Sequence, residues 1–166
     1  IRQEVQEVPR PLRLPAAAAD TPTTAALRAA LEGLLANTQP QWGTMSPAQM
    51  LRHNSRFMDL YLGRISIPAW VRVLSRALGP IFLRSYLVKP RGATPRNMGT
   101  LPAIRSKPEL ELDFDEERSR FLERLSEIEA LSGVVQHAMY GAMKAEDARA
   151  LVCHHTAHHF HQFGLI

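Results

Sequence analysis

Apolar residues recur with the period of an α-helix in four separate stretches of this 166-residue chain. No stretch alternates apolar and polar residues for the length of a convincing strand, and no internal repeat is present. The pattern predicts an all-α fold, a four-helix bundle with one long crossover connection and extra short helices. The clearest helix start is Ser46-Pro47-Ala48-Gln49, which combines an N-cap serine, a first-turn proline and a capping-box glutamine. This helix should run to about Leu62 and stop at Gly63.

The other elements follow from similar signals. Residues 1–22 are rich in Pro and Ala without a sustained period, and read as an extended N-terminal arm; 23–166 form the folded domain. Thr23 or Thr24 can cap a helix through Asn37, with Leu27, Leu31 and Leu34 or Leu35 spaced for burial. Ile67–Val88 predicts a helix interrupted at Gly79-Pro80. Residues 89–112 hold four prolines and two glycines and predict a long loop. From Asp115 to Leu131, Phe121, Leu122, Leu125, Ile128 and Leu131 share one face, and Ser132-Gly133 ends the helix. A loop holding His137 to Gly141 leads to the last helix, which should begin near Ala145 with Glu146 and Asp147 in its first turn.

No run of about 18 apolar residues exists, so no membrane-spanning helix is expected. The single cysteine, Cys153, excludes an intrachain disulfide and fits a reducing, cytoplasmic setting. Because the first residue is Ile1, a removed leader or tag stays open. Arginine supplies 17 of the 20 basic residues, but without interleaved aromatics the charge does not point to nucleic acid. The Ile67–Val88 segment, with Trp70, Phe82 and Tyr86 among arginines, raises an anionic membrane surface as a second idea against the simpler one of a helix covering the bundle.

Five of the seven histidines fall in the last fifteen residues. At about 100° per residue, His155 and His159 share the apolar face of the last helix with Ala148, Leu151, Val152 and Gln162. His158 lies at the edge of that face, while His154 and His161 fall on the opposite side and read as solvent-facing. On the Ser46 helix, His53 lies beside Met50, Phe57 and Leu60. One inward histidine is ordinarily a hydrogen-bonded core residue. Three of them on two helices would be satisfied together by one metal ion, and three protein ligands leave a position open, as in catalytic zinc sites. Cys153 points about 160° away from His155, against a role as ligand or nucleophile.

Three motifs resemble the DinB/YfiT-like metalloenzymes, in a branch described as a domain of unknown function: Trp42-Gly43-x-Met45-x(4)-Met50-Leu51-x-His53, His137-x-x-Tyr140-Gly141-x-Met143, and His155-x-x-His158-His159-x-x-Gln162-Phe163-Gly164. The resemblance implies a four-helix bundle with a divalent metal on His53, His155 and His159, the same three that the helical faces select. Zinc is the first expectation, with nickel or iron as alternatives. Relatives implied by the resemblance include transferases that use low-molecular-weight thiols, and hydrolases. Ala138 stands where the family usually has proline, and His161 where arginine is common.

The expected function is therefore a metal-dependent enzyme acting on a small molecule, best fitting a thiol S-transferase, with a hydrolase as the variant. The competing reading is a bundle that binds metal without turnover, or an interaction protein with polar core histidines. His137, Tyr140 and His158 are the candidate catalytic residues, although packing roles compete for each. Gln162 is the candidate to orient a ligand imidazole. A homodimer through an exposed helix face is compatible with the resemblance.

Overall fold

Ser46 caps its helix as the residues dictate: its hydroxyl accepts from Gln49 N, and the Gln49 side chain accepts from Ser46 N at 2.9 Å. The computed structural model describes residues 9–107 and 111–166. Its elements are α1 (Thr24–Leu31), α2 (Pro47–Asp59), α3 (Ala69–Leu87), α4 (Phe114–Ala130), β1 (Val134–His137), β2 (Gly141–Lys144) and α5 (Ala145–Gln162). The expectation of a purely helical chain is corrected. Among the described residues the fold is mostly helical, with five helices and one small two-stranded sheet.

The sheet lies where a loop was expected. Val134 pairs with Lys144 and His137 with Gly141, antiparallel. Strands of four residues are too short for alternation to show, and the hairpin is fixed by contacts distant in sequence. Ala138 N donates to Leu60 O at the end of α2, and Leu12 N in the N-terminal arm donates to Ala142 O in β2. Of that arm, residues 9–22 are described and contain no helix or strand; 1–8 lie outside the described residues.

Two helices differ from expectation in length or continuity. α1 has the expected Thr23 cap but ends six residues before Asn37. Its last turn tightens, with Gly33 N donating to Ala30 O and Leu34 N to Leu31 O, and Thr38 Oγ1 then takes Leu35 N at 2.9 Å. Leu34 is buried and Leu35 is exposed. α3, in contrast, runs without interruption through Gly79-Pro80. A proline there removes one backbone donor, at a cost of about 3 kcal/mol in a free helix. Packing offsets that cost, because Leu83, Tyr86 and Leu87 on the following turns are buried and the Tyr140 ring rests on Gly79.

α2 and α4 lie side by side and are cross-linked at their outer edge. Arg124 Nε meets Asp59 Oδ1 at 2.7 Å, and the buried carboxylate of Glu117 takes both Arg52 (3.3 Å) and Arg120 (2.6 Å). Their inner faces contribute Met50, Leu51, Met58, Phe121, Leu125 and Ile128 to the core. α5 packs against all four other helices and both strands, and side chains on every side of it are buried. That position places its histidines inside the molecule.

Candidate metal site

The apolar face of α2 carries His53 inward, and the matching face of α5 carries His155 and His159. The ligand-capable atoms of these three side chains all lie within 4.8 Å of one another. His53 Nε2 and His155 Nε2 are 3.1 Å apart, and the His53 and His159 rings meet edge to face with centroids 4.7 Å apart. His53 and His159 are buried and His155 is half-buried. The structure thus brings together the three histidines expected from the sequence.

The partners of the three rings decide which nitrogens carry lone pairs. His53 Nδ1 is 2.9 Å from Ile104 O, a carbonyl that can only accept, so Nδ1 holds the proton and Nε2 is bare. Gln162 Nε2 donates to Trp42 O at 2.7 Å, which turns Gln162 Oε1 toward His159 Nδ1 at 2.9 Å. His159 Nδ1 is therefore also protonated, and its Nε2 is also bare. Two of three imidazoles are held in the tautomer a metal ligand needs, each by the kind of partner that typically orients metal-bound histidine.

Electrostatics favour the same state. Burial pushes all three imidazole pKa values down, with the neighbouring histidines lowering His155 and His159 further; the Ile104 hydrogen bond opposes this at His53. Neutral imidazoles at neutral pH are the ligating form. Phe57, one turn after His53, stacks on His155 with ring centroids 3.8 Å apart and planes within 6°. This covers one face of the imidazole. A set of three neutral nitrogen donors without a carboxylate suits zinc, nickel, copper and iron.

The remaining histidines occupy different environments. His158 is half-buried at the edge of the cluster, 5.2 Å from the His159 ring and 6.0 Å from Trp42 between centroids. Arg96 sits 4.3 Å above the Trp42 ring, and His161 meets its edge. His137 lies outside the cluster. Its Nδ1 accepts from Met139 N and Tyr140 N, so it holds the hairpin turn; burial lowers its pKa to about 3. Tyr140 stacks on His137 and leans on Gly79.

His154 corrects a sequence expectation. It is buried rather than solvent-facing, and its Nε2 donates to Lys89 O at 2.9 Å. The helical wheel gave α5 a wet side that does not exist, because α3 and the 89–94 loop cover it. Cys153 is buried, and its thiol pKa is pushed up to about 11 by desolvation, a poor state for a nucleophile.

The sequence did not indicate the two backbone carbonyls. Ile104 O orients His53 and Trp42 O fixes Gln162, and a carbonyl leaves no trace in residue type. Gly43 did leave a trace. Its φ is +81°, and a Cβ there would lie 2.6 Å from Gln162 Nε2, so glycine lets the amide reach Trp42 O.

Comparison with curated proteins and with solved structures returns no match. The family described as a protein of unknown function (DUF1569) matches residues 17–164, a span containing every helix among the described residues, the hairpin and the three clustered histidines. With most of its length matched, the chain belongs to that family, DUF1569, whose description names no activity.

Proposed function

We propose that this chain is a divalent-metal-dependent enzyme of DinB-like bundle architecture, with His53, His155 and His159 as ligands. Its best-fitting reaction is transfer involving a small thiol or electrophile. The observation that carries this reading is the acceptor oxygen on the far side of the His53 ring and of the His159 ring, from which the Nε2-ligating tautomer of each follows. Hydrogen-bonded core histidines would need no such convergence of bare nitrogens. A zinc-class ion held by three protein nitrogens supplies Lewis acidity, lowering the pKa of a thiol or water or polarising a carbonyl.

The protein's own groups have distinct parts in this reading. Gln162 holds His159, the Ile104 carbonyl holds His53, and Phe57 keeps water from one face of His155. Of the candidate proton-transfer residues, His158 is the one nearest the cluster. Desolvation, then the neighbouring His161, lowers its pKa, so it stays neutral and able to take a proton at neutral pH. His137 and Tyr140 are assigned to holding the hairpin, because His137 Nδ1 accepts from the Met139 and Tyr140 amides of that turn.

Protein purified without a nickel column and analysed for metals tests the reading. About one divalent ion per chain is expected, zinc first, falling below a tenth in His53→Ala. The purified protein is then assayed for conjugation of cysteine to an aryl halide, with and without added metal. Conjugation that needs both the ion and His53 supports the enzyme. A stoichiometric ion without turnover of thiol, ester or amide probes would identify a metal-binding module instead. No ion in either protein would overturn the metal reading itself.

A further inference from the structure

The candidate ligands bring no charge of their own. His53, His155 and His159 bind as neutral imidazoles, so a divalent ion on them would keep its whole double charge. The segment after α3 adds charge of the same sign: Lys89 to Lys107 holds five lysines and arginines and no acid. Its backbone is pinned at both ends to the helices that carry the histidines. Lys89 O accepts from His154 on α5 at 2.9 Å, and Ile104 O accepts from His53 on α2 at 2.9 Å. Beside the second pin, Arg56 Nε donates to Ala103 O at 2.7 Å. The stretch between the pins passes the edge of the cluster, since Arg91 and Thr94 share a cleft with His158.

Arg96 is held against the same edge. Its guanidinium carbon lies 4.3 Å from the centre of the Trp42 ring, that ring is 6.0 Å from the His158 ring, and His158 is 5.2 Å from His159 between centroids. Desolvation and the neighbouring histidines depress the His158 pKa first, and the Arg96 charge adds to them, so its field reaches this edge. Asn97 turns the chain directly after Arg96 with a φ of 59°, the left-handed conformation that asparagine tolerates. The contact with the Trp42 ring positions the guanidinium without using an acceptor oxygen. Among the described residues no carboxylate forms an ion pair with Arg96. The one acid lining the neighbouring cleft, Asp20, is engaged elsewhere, its Oδ2 accepting from Arg91 N at 2.6 Å. A planar fork of donors left unpaired beside a cationic site suits a carboxylate, which it can take through two parallel bonds.

Building on the metal-dependent reading above, we propose that the substrate carries a carboxylate and that Arg96, held on Trp42, selects it. The reacting group then meets the three histidines while the carboxylate meets Arg96 at the rim. A rim of mostly one sign also raises the local concentration of an anion and disfavours a cationic thiol. Arg96 bonds none of the three ligand histidines, so its loss should leave metal affinity within about twofold. Substrate binding and metal binding can therefore be separated at this residue.

Calorimetric titration of the zinc-loaded whole protein tests the proposal with mercaptopropionate and mercaptohexanoate, each beside the mercaptoalcohol of equal length. At least one acid should bind about tenfold or more tightly than its alcohol, and the preference should shrink as salt rises. Arg96→Gln should abolish the preference at unchanged zinc content. Arg96→Lys should keep part of it, as a point charge without the planar fork. Acids and alcohols bound alike by the zinc-loaded protein, or a preference untouched in Arg96→Gln, overturns the proposal and leaves the metal reading standing. A wild-type chain that takes up no zinc overturns both.

Discussion

Gln162 shows how much of the site depends on groups that would never touch an ion. Its amide links the Trp42 carbonyl to His159, and Gly43 leaves the space in which it does so. Gln162→Leu should weaken metal affinity by about 10- to 100-fold, the usual cost of losing a partner to a ligating histidine. Gly43→Ala should weaken it similarly, because the new Cβ displaces the same amide and the φ of +81° strains any other residue. Competition titration against a chromophoric chelator measures both. The two effects should not add in the double variant, since either change breaks the same link; fully additive losses would sink this account. Two links in this chain were readable beforehand: Gln162 by its place on the His155 face, and Trp42-Gly43 as a motif. The Ile104 carbonyl was not, because its proline-rich loop has no period that would bring it to His53.

At the scale of elements, the helix starts were legible. α1 and α2 begin at the Thr23 and Ser46 caps, and α4 and α5 begin within a residue of Asp115 and Ala145. Elements maintained by tertiary contact were not. The β1–β2 hairpin is pinned from outside by Leu60 O and Leu12 N, and α3 crosses Gly79-Pro80 because Tyr140 packs there. Gly79→Ala follows as a prediction. In most helices this exchange gains about 1 kcal/mol, but here the Cβ would run into the Tyr140 ring. The net effect should be a loss of about 1–3 kcal/mol, read from the urea midpoint. A more stable variant would mean that the tyrosine moves freely and does not hold the helix.

For the whole molecule, burial of the histidines dictates the response to acid. His53, His137, His155, His158 and His159 all have pKa values below the ordinary 6.5, chiefly through desolvation, with His137 at about 3. The unfolded chain protonates them near 6.5 and the folded chain does not. Metal-free protein should therefore keep its full stability above that pH and lose it as pH falls below. Each buried histidine can contribute about 1.4 kcal/mol per pH unit in that range. Glu127 and Glu129, lowered from 4.5 by their Arg64 and Arg28 hydrogen bonds, lose their contribution only in more acid solution. Urea denaturation of the apo protein at about pH 7.5 and about pH 5 checks the slope; a midpoint that rises toward the lower pH contradicts it. The burial was only half legible. The wheels found the inner face of α5, but a one-helix projection cannot show that a neighbour covers the opposite face, as α3 and its loop do over His154.

The carbonyls of Ile104, Trp42 and Lys89 give the protein an uneven tolerance of genetic error. Each orients or receives a buried side chain through the backbone, which every amino acid supplies. Point substitutions at exposed loop positions such as Arg91, Met98 and Pro102 should leave metal affinity within about twofold. Deleting one residue between Lys89 and Ile104 should cost at least about tenfold, because it moves the Ile104 oxygen away from His53 by up to about 3.8 Å. A deletion scan beside a substitution scan, both scored by metal retention, separates the two. Equal sensitivity to both kinds of change would show that the loop acts through its side chains. The site would then drift freely in sequence along this loop while its length stayed fixed, so the spacing between elements would outlast the residues that fill it.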